Sequence, residues 1–567
     1  MHASSLNTLT QLPRRPLGLS AGGLKWGATF WAPLLLVMLG LLTLPTLSIW
    51  TSWLEWNLEQ SQVMVQMLQT VLPEYAWTSL LLCVGVAAGV MLMGTGSAAL
   101  VTLFEFPGKR WLEWALLLPL AMPAYVVAYA YTDFFQYSGP LQVSLRSALG
   151  LEGALWPDIR STWGAMLVFT VTLYPYVYLL ARTALLEQSQ HLSEAAQLLG
   201  ATRWRRIATI SLPMARPAIA AGTALALMET LADFGVSSYF GVQTFTAGIY
   251  KAWLSMDNMW VAGQLATVLL TVVAVLLALE QHQQRRIRYG QTRVSRSHAR
   301  QATLHQQSPW MSAALLTLGL IPLVLGFLLP TAVLLWSWWS NPEPIDASRF
   351  AHWTWNSLRL AGVAAFAAVG LALALAIHKR IRRDRLSALS TQWVSLGYAI
   401  PGAVVVVGIL MPMMLLRQQW PESTWSFAIT GTSMGLIWAY MVRFTSVAMQ
   451  SIESGYARVP LALDETARTM GMVGWKLLSR VHLPLLKRSS AAALLLVFVD
   501  VMKELPATFV LRPFNSDTLA VVAYQLARDE RLGEAALPSL ALVLAGLIPV
   551  VLISRSLNTK ATALAQP

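Results

Sequence analysis

Charge is what this chain has least of. Only 12% of its 567 residues are Asp, Glu, Lys or Arg, against 56% hydrophobic, where a soluble domain carries about a quarter charged residues. That deficit excludes an ordinary soluble protein and places most of the chain in lipid. Cysteine is nearly absent as well: Cys83 stands alone inside an apolar run, so neither an intramolecular disulfide nor a thiolate metal cluster can form. The eight histidines show no HExxH or HxxxH spacing, which removes the usual helical zinc signature. No GxxxxGK[ST] phosphate loop occurs; the single Gly-Lys, Gly108-Lys109, is followed by Arg110. ATP hydrolysis is therefore not expected in this chain.

What the sequence does contain is a series of apolar runs, each near the roughly 20 residues a helix needs to cross a bilayer. They predict spans near 29–50, 76–103, 112–132, 162–182, 215–239 and 259–280, then 310–337, 354–377, 388–415, 425–447, 489–511 and 534–554. The net charge of +13 lies between them, and its placement excludes a nucleic-acid reading. With the amino terminus inside, the loops on that side hold 28 of the 40 Lys and Arg residues. The positive-inside bias predicts twelve spans with both termini cytoplasmic. The chain divides into an amino-terminal tail (1–28), a first repeat (29–280), a basic linker (281–309), a second repeat (310–554) and a carboxy-terminal tail (555–567). Six arginines and no acidic residue occupy the linker, as expected of a cytoplasmic connector beside anionic lipid. Six spans per half make the repeats parallel in topology. The many Trp residues near span ends, Trp50, Trp111 and Trp353 among them, suit a belt at the lipid–water interface.

The division into halves is confirmed by a repeated polar stretch. EAAQLLGATRWRRIATISLP at 194–213 recurs as ETARTMGMVGWKLLSRVHLP at 465–484. Glu194, Gly200, Trp204 and Pro213 each return 271 residues later as Glu465, Gly471, Trp475 and Pro484. Each copy reads as a short helix, a glycine break, and a second helix stopped near proline.

These stretches resemble the cytoplasmic EAA loop of bacterial ATP-binding-cassette importer permeases: EAA, three residues, Gly, nine residues, Ile-x-Leu-Pro. The first copy carries Glu194, Ala195, Ala196, Gly200, Ile210, Leu212 and Pro213; the second carries Glu465, Ala467, Gly471, Leu483 and Pro484, with Thr466 and Val481 as mild departures. The resemblance implies an all-α type I importer permease fold of about twelve spans. It also implies two coupling helices that dock two copies of a cytoplasmic ATPase subunit, which binds the ATP and Mg. Stretches around Pro123, from Thr230 and from Val501 resemble the fused ferric iron permeases that work with a periplasmic iron-binding protein in the bacterial inner membrane. Related permeases carry thiamine or other small solutes. A proton-coupled secondary transporter is the rival reading; it has no need of two matching loops.

Acidic residues recur inside the spans. Glu229 and Asp233 stand four apart, hence on one face of a continuous helix, and their counterparts at the 271-residue offset are Asp500 and Glu504. Glu229 lies 16 residues beyond Pro213, about 24 Å along a helix. At such depth a carboxylate demands a partner or a wet cavity. The four are candidates for a cation path with transient Fe(III) contact rather than a stable metal site, with Lys503, Arg443 and Arg359 as competing structural partners.

Overall fold

A computed structural model describes residues 25–54, 58–186, 188, 190–291, 308–340, 346–382, 391, 393–394, 396–457, 459–472 and 474–563. Most of the predicted amino-terminal tail, and the linker from 292 to 307, lie outside the described residues. The first half is built from α1 Lys25–Ser48, α2 Leu72–Leu103, α3 Ala124–Phe135, α4 Thr162–Leu186, α5 Gln190–Leu198, α6 Leu212–Ala232 and α7 Met259–Gln291. The second repeats that order as α8 Pro309–Ser340, α9 Ala347–Arg382, α10 Gly402–Gln419, α11 Ser433–Tyr456, α12 Leu461–Thr469, α13 Leu483–Lys503 and α14 Leu532–Ala563. Short helices link them, and no β-strand occurs among the described residues.

All twelve predicted runs carry helix, but not as twelve continuous spans. Eight described helices are long and apolar enough to cross a membrane, or nine if one bent pair counts. The predicted third span is that pair, turning by 91° between Ala121 and Ala124, where Pro123 takes an extended conformation. α13 is 21 residues long but carries Lys487, Arg488, Asp500 and Lys503, and α11 carries Arg443 and Glu453. Those charges are where apolarity falls short of the sequence expectation. Several helices overrun their predicted ends, most of all α7 to Gln291, α11 to Tyr456 and α14 to Ala563; no proline interrupts these continuations.

In each half three helices form the centre: α2, α4 and α6 in the first, α9, α11 and α13 in the second. Helices in lipid gain little from the hydrophobic effect against one another, so close backbone approach decides their packing. On α2 that approach is made by glycine. A methyl on Gly94 would stand 2.7 Å from the Tyr174 carbonyl oxygen of α4, and one on Gly89 would strike Thr170. On α9 the same role falls to a row of buried alanines, including Ala361, Ala365, Ala368 and Ala372.

The halves exchange their first helices. α1 lies against α10, where the Ser48 hydroxyl donates to the Gly408 carbonyl at 2.5 Å. α8 lies against α3, where the Tyr131 hydroxyl donates to the Leu325 carbonyl at 2.6 Å. Neither half is complete without the other's arm.

Candidate functional site

The repeated loops fold alike. α5 and α12 each hold their Glu, Glu194 or Glu465, at the fifth position rather than at the helix start. Each helix ends on a glycine in the left-handed region, Gly200 at φ 78° and Gly471 at φ 76°. The closing bonds match: the N–H of Ala201 donates to Ala196 and that of Met472 to Ala467, at 2.9 and 3.0 Å. This is the helix-ending motif that favours glycine, because an L side chain at such φ is strained. Nothing lies within 4 Å of a methyl added at either position, so the preference comes from conformation and not from crowding.

Beyond the glycine the chain re-enters helix and, contrary to the sequence expectation, does not stop at proline. Arg203–Arg206 and Trp475–Leu477 pass into wide π-helical turns, Ile207–Ser211 and Leu478–His482, which run straight into α6 and α13. Each π turn ends two residues before its proline, Pro213 or Pro484. A proline ring offers no N–H and clashes with the carbonyl of the preceding turn; widening that turn lets helix continue. Leu212 and Leu483 open the two helices at matching places. The part of each loop beyond its glycine is thus joined to its span by one helical rod.

On the loops, large apolar side chains face solvent at equivalent positions. Leu199 is 88% and Met470 72% exposed; Trp204 is 69% and Trp475 71%. Ala467 is buried and Ala196 half-buried, whereas Glu194, Ala195 and Glu465 are on the surface. The two loops thus expose large apolar side chains at matching positions.

At their far ends α6 and α13 stop where the sequence predicts continuous spans. Asp233 (ψ 134°) and Glu504 (ψ 120°) are extended, so Glu229 and Asp233 do not share one helix face. Asp233 turns to accept from the N–H groups of Val236 and Ser237 at 2.8 and 3.3 Å. Glu504 accepts from those of Ala507 and Thr508 at 2.9 and 3.0 Å. Each acid caps the short helix that follows, Gly235–Tyr239 or Pro506–Leu511, satisfying donors that would otherwise be orphaned in lipid. Glu504 also receives the Arg443 guanidinium at 2.9 Å in a buried ion pair.

Glu229 and Asp500 remain half-buried. Glu229 lines a small cavity of about 20 Å³ with Tyr176 and Tyr398, room for about one water. Both tyrosines lie within the electrostatic reach of Glu229 and of Asp500. Tyr176 belongs to the first half and Tyr398 to the second, so the two acids related by the repeat converge where the halves meet. No described group of three or more His, Cys, Asp and Glu is arranged to hold a metal ion. The tyrosines went unseen in the sequence reading because they lie in apolar runs with no charge to draw attention.

Next to this cleft the halves are sealed by aromatic rings. Phe234 sits 4.2 Å from Tyr250 and 5.8 Å from Phe509, ring centre to ring centre. The Tyr250 hydroxyl donates to Pro506 of the second half at 2.8 Å, and that of Tyr524 pairs with Ser238 of the first at 2.7 Å.

The model of the family described as binding-protein-dependent transport system inner membrane component matches residues 91–289 and again 367–564. Over nearly its whole length, 96% of this chain and 99% of the relative, the sequence is 25% identical to the Fe(3+)-transport system permease protein FbpB 2 of Haemophilus influenzae. It is 24% identical to a probable ABC transporter permease protein, y4fN, of Sinorhizobium fredii, over 85% of this chain and 87% of that one. A third relative, the molybdenum transport system permease protein ModB of Escherichia coli, is 33% identical over 30% of this chain and 74% of its own.

Proposed function

Since this chain belongs to the family of binding-protein-dependent transport system inner membrane components, we propose that it is the permease of an ATP-driven importer of ferric iron. Both family domains sit in one polypeptide, so one copy supplies both halves of the path. Two cytoplasmic ATPase subunits, which bind the ATP and Mg, dock on the two exposed loops. A periplasmic binding protein delivers the ion to the opposite face, and both chain termini lie in the cytoplasm. The observation that carries the substrate is the match to FbpB 2, which spans both fused halves; the molybdenum permease relative matches over less than a third of this chain.

The geometry supports a mechanical reading. Closure of the ATPase pair moves α5 and α12, and each passes its motion through an unbroken π turn into α6 or α13. Both helices end at the aromatic seal between the halves, so displacing them together opens or closes that seal. Glu229 and Asp500, with the Tyr176 and Tyr398 hydroxyls, form the oxygen-rich contact along the path, hard donors suited to a hard trivalent cation. Asp233 and Glu504 support the path through the backbone they cap.

The test is uptake of labelled ferric iron into proteoliposomes holding this chain, its ATPase and the loaded binding protein, with thiamine and molybdate as competitors. ATP-dependent iron uptake that falls at least about tenfold in Glu229→Gln/Asp500→Asn, the loss of two stabilising contacts, supports both substrate and path. Uptake of thiamine or molybdate in place of iron overturns the substrate; uptake without the ATPase overturns the mechanism.

A further inference from the structure

The second coupling helix is tied to the transmembrane core by one buried arginine. Arg380 lies near the end of α9, in the other half's counterpart of α2, and its guanidinium spends its donors on a single corner of the chain. Nε donates to Asp464 of α12 at 2.7 Å in an ion pair whose side chains are 8% and 7% exposed. The terminal nitrogens donate to the carbonyls of Tyr456, Val459 and Pro460 at 3.4, 3.0 and 3.1 Å. These three residues are the turn from α11 into α12. The guanidinium also lies 4.8 Å over the Tyr456 ring, and the Tyr456 hydroxyl meets His482 Nδ1 at 3.2 Å. His482 closes the π turn that leads into α13.

Arg380 therefore joins four things at once: a span, the corner, the coupling helix and the joint to the next span. A planar fork with five fixed donors can do this; a lysine ammonium, a single point of charge on a flexible stem, cannot hold four acceptors in that spread. The residues that build this anchor are not repeated at the first loop. At the 271-residue offset Asp464, Tyr456 and His482 become Ser193, Leu185 and Ser211. Among the described ties there, a Gln188 amide donates to the Ser211 carbonyl at 2.7 Å, Arg206 donates to Gln197 at 2.8 Å, and the ring of Phe104, at the end of α2, lies 6.0 Å from that of Trp204.

We propose that Arg380 is a positioning residue for energy coupling: it makes α12 a rigid extension of α9, α11 and α13, so the two ATPase docking sites of this chain are mechanically unequal. Motion of the ATPase at the second loop is passed to the core without slack. The inference rests on the reading of the loops as ATPase docking sites, yet rigidity itself can be measured without substrate or nucleotide.

Two measurements test it. In the full-length chain with Cys83→Ser, nitroxide labels placed at Leu199→Cys or Met470→Cys report loop mobility in nanodiscs. Arg380→Lys and Asp464→Asn are expected to raise mobility at position 470 and leave position 199 unchanged; no change at 470, or an equal change at both, overturns rigid anchoring. In the complete transporter, both variants are expected to raise the ATP hydrolysed per ion imported by about 2- to 30-fold, the range for residues along a coupling network, with the ATPase subunit still bound. The charge-reversed pair Arg380→Asp/Asp464→Arg is not expected to restore coupling, because aspartate cannot bond the three carbonyls. An unchanged ratio, or parallel loss of hydrolysis and transport through loss of the bound ATPase, overturns the positioning role. A mobility change with no transport of iron in any form leaves the rigidity standing and removes only the substrate.

Discussion

At the break after α6, Asp233 accepts two backbone N–H groups; at the equivalent break after α13, Glu504 accepts two backbone N–H groups, the Thr508 hydroxyl and the Arg443 guanidinium. The residue 271 positions before Arg443 is Thr172, whose hydroxyl bonds the Val168 carbonyl of its own helix. Backbone geometry has been kept between the halves while charge has not. The break itself is what both halves need, since a short helix follows it in each. The buried ion pair is an addition that commits Glu504 to structure and leaves Asp233 with backbone partners.

The strongest way to break that comparison is to remove Arg443. Arg443→Met leaves the Glu504 carboxylate buried with no cation opposite, and loss of one partner of a buried pair costs about 3–5 kcal/mol. A large fall in the thermal midpoint of the purified chain is expected. Arg443→Met/Glu504→Gln should recover part of the loss, because a neutral amide needs no cation and its oxygen still accepts from the Ala507 N–H, while its nitrogen cannot accept from Thr508. If the double variant is no better than the single, the pair is not what stabilises this break.

The loop glycines sharpen the comparison from the other side, because here the halves agree. Gly200→Ala and Gly471→Ala each force a methylated residue into the left-handed region, at a cost of about 1–2 kcal/mol. Since neither added methyl touches anything, the strain should be equal in both and appear as loosened docking of the ATPase, measured by co-purification. Unequal losses would mean that the two helix ends are not the equivalents their bonds suggest. Somewhat smaller, at about 1 kcal/mol, is the expected loss for Asp233→Ala, which removes the cap of Gly235–Tyr239. It should be restored by Asp233→Asn, whose side-chain oxygen still accepts, as followed in thermal melts.

How much of this could be read from the sequence follows the range of each interaction. The repeat, the loops and their glycines were legible because each is local: a φ near 77° at Gly200 and Gly471 leaves its mark on one residue type. The helix breaks were legible in part and misread. Pro506 at the first position of its helix is a start signal, and Asp233 stands in front of a short helix as capping residues do. The apolar runs around them outweighed both signals and suggested continuous spans. Arg443 is among the candidate partners that the sequence offers the acids, but its choice of Glu504, 61 residues away, depends on how α11 meets α13. The Arg380–Asp464 pair was out of reach for the same reason. Its members are 84 residues apart, and nothing in either neighbourhood marks them as a pair. The exchange of first helices, α1 onto α10 and α8 onto α3, likewise leaves no periodic trace, because both arms are apolar all round.

The smallest effect expected is a dependence on pH confined to the second loop. His482 is buried, with Nδ1 on the Tyr456 hydroxyl and Nε2 without a hydrogen-bond partner. Burial lowers its pKa below the ordinary 6.5; Asp464 acts in the opposite sense, and Arg380 and Arg468 reinforce the lowering. The folded chain therefore binds the proton less readily than the unfolded one. The stabilisation from keeping the ring neutral is complete above about pH 6.5 and is lost as pH falls toward the depressed value. Ser211, the counterpart in the first loop, has no proton to gain in this range. Comparing the native chain with His482→Gln, the thermal midpoint should fall more steeply for the native chain between about pH 7.5 and about pH 5.5, where the imidazole charges. A nitroxide at position 470 should gain mobility over the same interval while one at position 199 does not. Parallel profiles for the two proteins would show that the buried ring takes up its proton without disturbing the corner that Arg380 holds.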